Sequence, residues 1–585
     1  MYYKNEKGSS LLLVLLVSLI FMALGLSIIS ASIGGAKRTE ISKENAETTY
    51  KAIRALEEVV TEFQLQVNDP SFKLDEDRLR NDQYQSELES FIDYLKSSYS
   101  GLSIIDISNS DYGVNLSTQF TRVYELSFTA TGDDGRNRSI SRKLFLSPTP
   151  SFLQFAAGSG PEGTVSLNGA VQIIGNLFTK KLITRDIAYF TDEKAVSLGI
   201  QQRQAPTLYP AIIGDLYIID ELNGSKNLND PILKNYFDNS AIPNIKRNDR
   251  EFIDVNFKKT FAQKINDLQG VSFKTTEDDF DSELEVSSVI RNILSPCTSI
   301  IYLHSDSNPF NQLTNCSSPL YLIEKDWNYL DISNTISAKR KVIVYTDIVT
   351  DNFGVPVQPL TFRNSNDPEY APLYVKNDLL LNDDTWLVVH GDLEIISKSN
   401  SSINISGNIL VTGDLKIHGD EIDVNGFTEI QEDDEVKFDS TIFTLGTTEV
   451  YNTNISGLND KQLVLLSKED MIITRINEFK TINDSIKPLE AYFYTDSDAT
   501  LYGVGSLFYI KGGLFARNDL TINSIRQNVI SKGSNLLLQI SSPSVQEGQN
   551  SRFNIQYDKT VITDQLDALP RVDKLQVILD DIKIN

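Results

Sequence analysis

The residues that could do chemistry are few and scattered. Two cysteines, Cys297 and Cys316, and three histidines, His304, His390 and His418, make up the entire thiol and imidazole complement. In a chain that lies outside the reducing cytoplasm, an even cysteine count favours a disulfide between Cys297 and Cys316. Closing a loop of about 20 residues in this way stabilises by roughly 3 kcal/mol in the chain-entropy account. Two free buried thiols, or a metal pair with His304, are the other readings, and no C-x-x-C motif supports the metal. Each histidine sits in a β-like segment and reads as an ordinary surface or core side chain. No H-E-x-x-H, G-x-S-x-G or P-loop motif occurs, so the local signatures of a zinc protease, a serine hydrolase and an NTPase are missing.

Carboxylates are the remaining candidates. There are 79 Asp and Glu against 54 Lys and Arg, for a formal net charge of -25. Glu277-Asp278-Asp279 and Asp433-Asp434-Glu435 could hold calcium, but their spacing matches no EF-hand loop. Glycoside cleavage needs only two suitably separated carboxyls, and nothing in the sequence singles out such a pair. A solvated acidic face is the plainer reading. The expectation is a non-enzymatic chain with no cofactor, and the acid excess argues against a nucleic-acid partner because phosphate would be repelled.

The elements that would carry these residues begin with the N-terminal segment. Residues 9–33, SSLLLVLLVSLIFMALGLSIISASI, contain no charge. A helix of this length exceeds the ~30 Å hydrocarbon layer and can span it. Lys4 and Lys7 precede it in a very short leader, which favours a cytoplasmic N-terminus, although Lys37 and Arg38 follow on the far side. A cleaved secretory signal is the competing reading, but the apolar run is long for one and no A-x-A site follows. From 36 to 67 there is no proline or glycine, and Ile41, Ala46, Tyr50, Ile53, Leu56, Val60, Phe63 and Val67 recur as one helical stripe. Glu47 and Lys51 stand in the favourable i, i+4 order. Gly34-Gly35 could break or bend the helix at the membrane exit. Uninterrupted, the two parts run together for ~90 Å, and Asn68-Asp69-Pro70 ends them.

Lys7-Gly8-Ser9-Ser10 followed by LLLVLLVSLIFMALGLSIIS resembles the start of a type IV prepilin, and in particular the PilX-type minor pilins. The stretch ISKENAETTYKAIRALEEV is similar to the second half of that family's helix. The resemblance covers roughly a tenth of the chain. It implies that a prepilin peptidase would cut between Gly8 and Ser9, and that the helix packs against other pilin-like subunits. Major pilins carry Glu at the fifth mature position, where this chain has Leu13. That departure points away from a major filament subunit and toward a minor, tip or non-polymerising one.

Beyond the helix, a second helix is expected over 75–96, then strands over 102–107, 121–130 and 139–146, with a turn at Gly132-Asp133-Asp134-Gly135. A helix on a small antiparallel sheet buries both faces and resembles a pilin headgroup. From 152 onward a corner residue, a polar residue and alternating apolar residues recur: GNLF at 175–178, GDLYII at 214–219, NDLLL at 377–381, GDLEII at 391–396, GNILV at 407–411, GDLKI at 413–417 and NDLTI at 518–522. Many short strands with a corner each and no helix between them suit a stacked coil. A β-sandwich with hairpin turns is the alternative. GNILVTGDLKIHGD resembles bactofilin-like right-handed β-helices. LYGVGSLFYIKGGLFARNDLTINS with FNIQYD is similar to β-solenoid modules of prokaryotic surface proteins with pilin-like N-termini.

The expected fold class is therefore α+β. A leader (1–8), a transmembrane helix (9–33) and its amphipathic continuation (34–67) lead to a small α/β headgroup (68–148). A mainly β ectodomain follows as a right-handed β-helix or solenoid in two parts, 151–222 and 373–560. Residues 223–372, with the cysteine pair, form an insertion between them, and 561–585 form a tail. The expected role is a single-pass, cell-surface, pilin-like minor subunit or assembly factor with an extracellular contact domain. Its partners would be a prepilin peptidase, other pilin-like subunits, membrane lipid and a wall or host polysaccharide. An anchored β-helix that binds or cleaves polysaccharide, and a wall-associated scaffold without a pilus partner, are the alternatives.

Overall fold

A computed structural model describes residues 9–69, 81–112, 119–132, 137–190, 202–248, 255–262, 386–397, 402–419, 434–459, 461–531, 550–558 and 574–580, with shorter stretches and single residues between them. The chain is α+β, with a long N-terminal apolar helix and a mostly β body of parallel strands. It divides into two compact units. The first comprises residues 1–148 and 573–585 and the second residues 149–572.

In the first unit, helix α1 (Ser9–Val67) is continuous through Gly34 and Gly35. Each glycine costs about 1 kcal/mol relative to alanine in a helix, too little to break a ladder supported by turns on both sides. Helix α2 (Gln83–Ser98) starts after Asp82, whose φ of 57° sets the chain direction. Strands β1 (Leu102–Asp106), β2 (Arg122–Thr131) and β3 (Asn137–Ser147) form an antiparallel sheet. The glycine-rich turn between β2 and β3 closes with Gly135 N–H donating to the Gly132 carbonyl at 2.9 Å. Gly135 has a φ of 78°, which a glycine adopts without strain.

Two later segments join this sheet. Strands β4 (Gln576–Leu579) and β5 (Lys583–Ile584) both pair antiparallel with β3. Residues expected as a tail thus complete the sheet, because Leu575, Val577, Leu579 and Ile582 supply apolar groups to the core under α1. That core joins Leu56, Val60 and Phe63 of α1, Leu88 and Leu95 of α2, and Tyr124, Leu126 and Leu144 of the sheet. Phe63 meets Phe91 edge to face at 5.1 Å and Tyr124 at 5.8 Å. Arg122 is fully buried. Its guanidinium donates to Gln85 Oε1 and to the carbonyls of Gln119, Thr121 and Leu116, at 2.7–2.9 Å, and lies 5.0 Å over the Tyr84 ring. Those acceptors offset much of the cost of burying a charge.

The second unit is a parallel ladder. Leu393 pairs with Leu415, Leu415 with Thr448, Thr448 with Met471, Met471 with Ala499 and Ala499 with Leu520. Leu520 then pairs with Val165, and Val165 with Leu182. The late strands therefore join the early ones directly, and the two parts set apart in the sequence belong to one sheet. The stretch expected as an insertion also contributes, since Leu320–Lys325 pairs with Lys341–Tyr345 and that strand with Trp386–His390. Every second residue points inward: Ile395, Ile417, Val450, Ile473, Leu501, Ile522 and Leu167 form one fully buried column.

The recurring Gly-Asp-Leu and Asn-Asp-Leu pattern has a structural role at the strand starts. Asp414 N–H donates to Asp392 Oδ1 at 2.7 Å and Thr447 N–H to Asp414 Oδ1 at 2.8 Å. Thr164 N–H donates to Asp519 Oδ1 of Asn518-Asp519-Leu520 at 2.9 Å, and two aspartates outside the pattern act alike, with Asp498 N–H donating to Asp470 Oδ1 at 3.3 Å and Asp519 N–H to Asp498 Oδ1 at 3.0 Å. Each carboxylate thus accepts the backbone N–H that begins the neighbouring strand, where the ladder would otherwise leave a donor unpaired. The glycine before the aspartate is needed for close approach. A Cβ on Gly413 would overlap Asp392 Oδ1 and the Gly391 backbone.

Candidate functional site

The first half of α1 holds most of the exposed large apolar side chains among the described residues. Leu11 through Ile33 are exposed almost throughout, and this is the one described helix long and apolar enough to cross a membrane. Exposed apolar surface of this extent needs lipid or a partner to cover it. Ser9 is the first described residue of α1, and Leu13 is 63% exposed within the apolar run. Gly8, the other half of the expected processing junction, lies outside the described residues, as do Cys297, Cys316, His304, Glu277-Asp278-Asp279 and Asp433.

The second half of α1 is two-sided. Ala52, Leu56, Val59, Val60, Phe63 and Val67 face the sheet. Of the stripe read from the sequence, Leu56, Val60, Phe63 and Val67 hold these inner positions. Tyr50 does not: it is 70% exposed, and Thr48 and Ala52 take the inner line instead. Leu65 is a second outward apolar side chain, at 62% exposure. Outer charges pair along the helix, Lys43 with Glu47 at 3.8 Å and Arg54 with Glu58 at 3.1 Å. Such exposed pairs add only a few tenths of a kcal/mol. Glu47, read as pairing forward with Lys51, pairs backward with Lys43. Arg142 of β3 reaches across to Glu57 at 2.7 Å and donates to the Asp580 carbonyl at 2.9 Å, so one guanidinium ties α1 to the returning segment.

Among the described residues of the second unit, His418, Glu435 and Asp392 are engaged with their neighbours. His418 Nε2 lies 2.6 Å from Glu394 Oε1 and its Nδ1 2.8 Å from the Gly419 carbonyl. Its ring stacks on Tyr451, the in-register residue of the next strand, with centroids 4.8 Å apart. Burial pushes the Glu435 carboxyl up, but hydrogen bonds from Ser456 and Lys487, with the charges of Lys487 and Lys437, outweigh it and hold the group below the usual range. Asp392 goes the other way. Burial and the neighbouring Asp414 push it up to about 6 against the bond from the Asp414 backbone. No three His, Cys, Asp or Glu side chains converge as metal ligands among the described residues.

Sequence reasoning missed the buried cations. Arg526 pairs with Asp238 with both side chains almost fully buried. Arg552, fully buried, donates to the carbonyls of Ser506, Lys480 and Gly505, each at 2.9 Å, and burial lowers it to about 10. Neither residue lies in a motif, and only the fold makes their surroundings apolar. Three aspartates of the ladder, Asp392, Asp414 and Asp519, follow Gly or Asn in the repeated motif, but Asp470 and Asp498 follow Glu469 and Ser497, and nothing in the sequence marks any of the five as an acceptor for the next strand.

No family model matches this sequence, and no curated protein matches it. Among solved structures, the competence-associated pilin ComZ from Thermus thermophilus aligns over 87% of this chain and 97% of its own, at 10% identity and a TM-score of 0.24. A likeness that loose does not establish a shared fold.

Proposed function

We propose that this chain is a membrane-anchored, pilin-like protein, a minor or tip subunit or an assembly factor of a type IV pilus-like system. In this reading it has no catalytic role and its large β unit makes contacts outside the cell. The observation that carries the proposal is the single helix α1. Its first half is apolar and uncovered, and its second half is built into a helix-on-sheet unit with an outward face of its own. A simple anchor would need only the first half. A helix that serves first as an anchor and then as a packing element needs both, because the apolar residues that sit in lipid can later meet the helices of other subunits.

In the same proposal the N-terminus is cytoplasmic, the remainder is extracellular, and a prepilin peptidase cuts between Gly8 and Ser9. Leu13 leaves the chain without the carboxylate that a major subunit would carry in the apolar run, which fits a subunit present in few copies. The parallel ladder of the second unit is proposed to close as a right-handed β-solenoid, a form suited to presenting a long, rigid surface to a wall or host polysaccharide. N-terminal sequencing of the protein recovered from surface fractions tests the assignment. A start at Ser9, together with co-purification of other pilin-like subunits, is the expected result. An intact Met1 on a lone membrane protein would overturn it.

A further inference from the structure

The second unit is inserted into the first. The chain leaves the antiparallel sheet at Ser147 and comes back opposite that same residue at Gln576, with residues 149–572 between. The returning segment is part of the first unit's interior. Leu575 is buried in the core that holds Leu56 and Phe63, and Val577, Leu579 and Ile582 pack against it. Asp580 N–H donates to the Lys143 carbonyl at 3.0 Å, and Arg142 ties the Asp580 carbonyl to Glu57 of α1. The inserted unit, for its part, joins its own entry to its own exit. Tyr557 Oη, near the exit, donates to the Leu153 carbonyl, near the entry, at 2.8 Å. Beside it, Ala157 pairs with Leu514, and Phe553 with Phe508 of the same strand.

We propose that residues 574–584 are a completion clasp: the core beneath α1 closes only once the inserted unit has folded and brought the clasp back to β3. The physical basis is loop closure. With the insert unfolded, β4 must find β3 across the full length of the inserted chain. With entry and exit joined at Leu153 and Tyr557, only the short stretches on either side of that junction remain in the loop to be closed. Closure probability falls as roughly the 3/2 power of loop length, so shortening the loop from about 430 residues to about 25 residues favours the clasp on the order of 70-fold. If the pilin-like reading is also right, the packing surface of α1 is set only in chains whose outer unit is complete; the clasp itself does not depend on that reading.

Hydrogen exchange on the full chain in detergent tests the proposal with two sets of variants. Leu575→Asp with Leu579→Asp disrupts the clasp directly. Protection of 140–146 and 52–63 is expected to fall tenfold or more, with 463–467 and 489–495 unchanged. Phe553→Asp with Ile555→Asp puts charge at two fully buried positions and releases the exit strand from its partners 508–512 and 172–174, opening the entry–exit junction without touching the first unit. Protection of 576–579 and 140–146 is then expected to fall together by up to the same factor that loop closure supplies, while 463–467 stays protected. The proposal is overturned if 576–579 keeps its full protection in the junction variant. It is equally overturned if the clasp variant leaves 140–146 protected, or strips protection from both units alike. None of these readouts depends on peptidase processing or filament entry, so failure here is separate from failure of the pilin-like assignment.

Discussion

Phe63→Ala asks whether the second half of α1 is held to its unit by packing or merely lies beside it. Phe63 is fully buried, with Phe91 edge to face at 5.1 Å and Tyr124 at 5.8 Å. Truncating a buried Phe costs about 3–5 kcal/mol through lost transfer energy and the residual cavity. Two aromatic contacts go with it, each adding about 0.5–1.5 kcal/mol beyond area. The upper half of the range is expected, since Phe91 is partly exposed but Tyr124 is locked in the sheet and cannot collapse into the gap. Against a domain stability of about 5–15 kcal/mol, the first unit would be close to unfolding. Among the described residues, the buried cluster of the second unit shares no side chain with this one. Denaturant titration read by hydrogen exchange at 124–128 and 140–146, against 463–467 and 510–516, gives each unit its own midpoint. A loss in the first unit well below the about 3 kcal/mol floor for such a truncation, or equal losses in both units, would refute the reasoning.

The remaining predictions concern the second unit. Gly413→Ala places a Cβ onto Asp392 Oδ1 and the Gly391 backbone; a loss of about 1–3 kcal/mol is expected, read as faster exchange in 393–397 and 415–419 but not at 553–557. Arg526→Met removes the counter-charge of the buried Asp238 carboxylate, leaving it the Ser240 N–H and hydroxyl donors, and is expected to cost about 3–5 kcal/mol, whereas Arg526→Met with Asp238→Leu recovers most of it; thermal denaturation of both variants decides, and a double variant as weak as the single one counts against the pair. Asp392 is pushed up to about 6 by burial, above its unfolded value of about 3.9. Its charged form is therefore disfavoured in the fold, and stability is lost as pH rises from about 4 through 6, by up to about 3 kcal/mol. Asp392→Asn keeps an acceptor for Asp414 N–H, so it is expected to stabilise at pH 8 and to be neutral at pH 4; equal stability to the parent at pH 8 would contradict the assignment.

Period and composition were enough to read most of the first unit. The apolar run, the stripe ending in Phe63 and Val67, and the β2–β3 hairpin are local patterns, and local patterns survive translation into structure. Tyr50 shows the limit. It stands three residues before Ile53 in the sequence, but six residues separate it from Leu56, which at 3.6 residues per turn puts it about 120° round the helix from the buried line of Thr48, Ala52, Leu56 and Phe63. The returning strands were illegible for a different reason. QVIL at 576–579 is a short apolar run like many others, and its partner, 144–147, stands on the far side of the whole inserted unit. Nothing local specifies that pairing. The same holds for Leu520 and Val165, which pair although one stands near the end of the second unit and the other near its start. The corner motifs were seen, but which strand follows which depends on the order of the ladder.

That order bears on how such a chain can fold at all. Strands 164–169 and 177–185 are made early, yet the neighbour that covers 164–169 on one side, Leu520–Ser524, is among the last strands of the unit to be made. Until then a row of backbone donors and acceptors at 164–168 has no strand beside it, which is the condition that invites pairing with other chains. Thr164 is one of the residues whose N–H is taken up by a corner aspartate, Asp519, so the ladder of carboxylates marks the seam where late strands meet early ones as well as the steps between consecutive strands. Asp519→Ala separates the two roles. If the contact serves only native stability, refolded and unrefolded protein lose about 1 kcal/mol alike, the usual worth of such a bond. If it also guides closure of the seam, the yield of monomeric protein on dilution from denaturant falls well beyond what that loss predicts, while Asp498→Ala, at an interior step, lowers stability without the same fall in yield. Equal yields for the two variants at equal stability would leave the seam no special role.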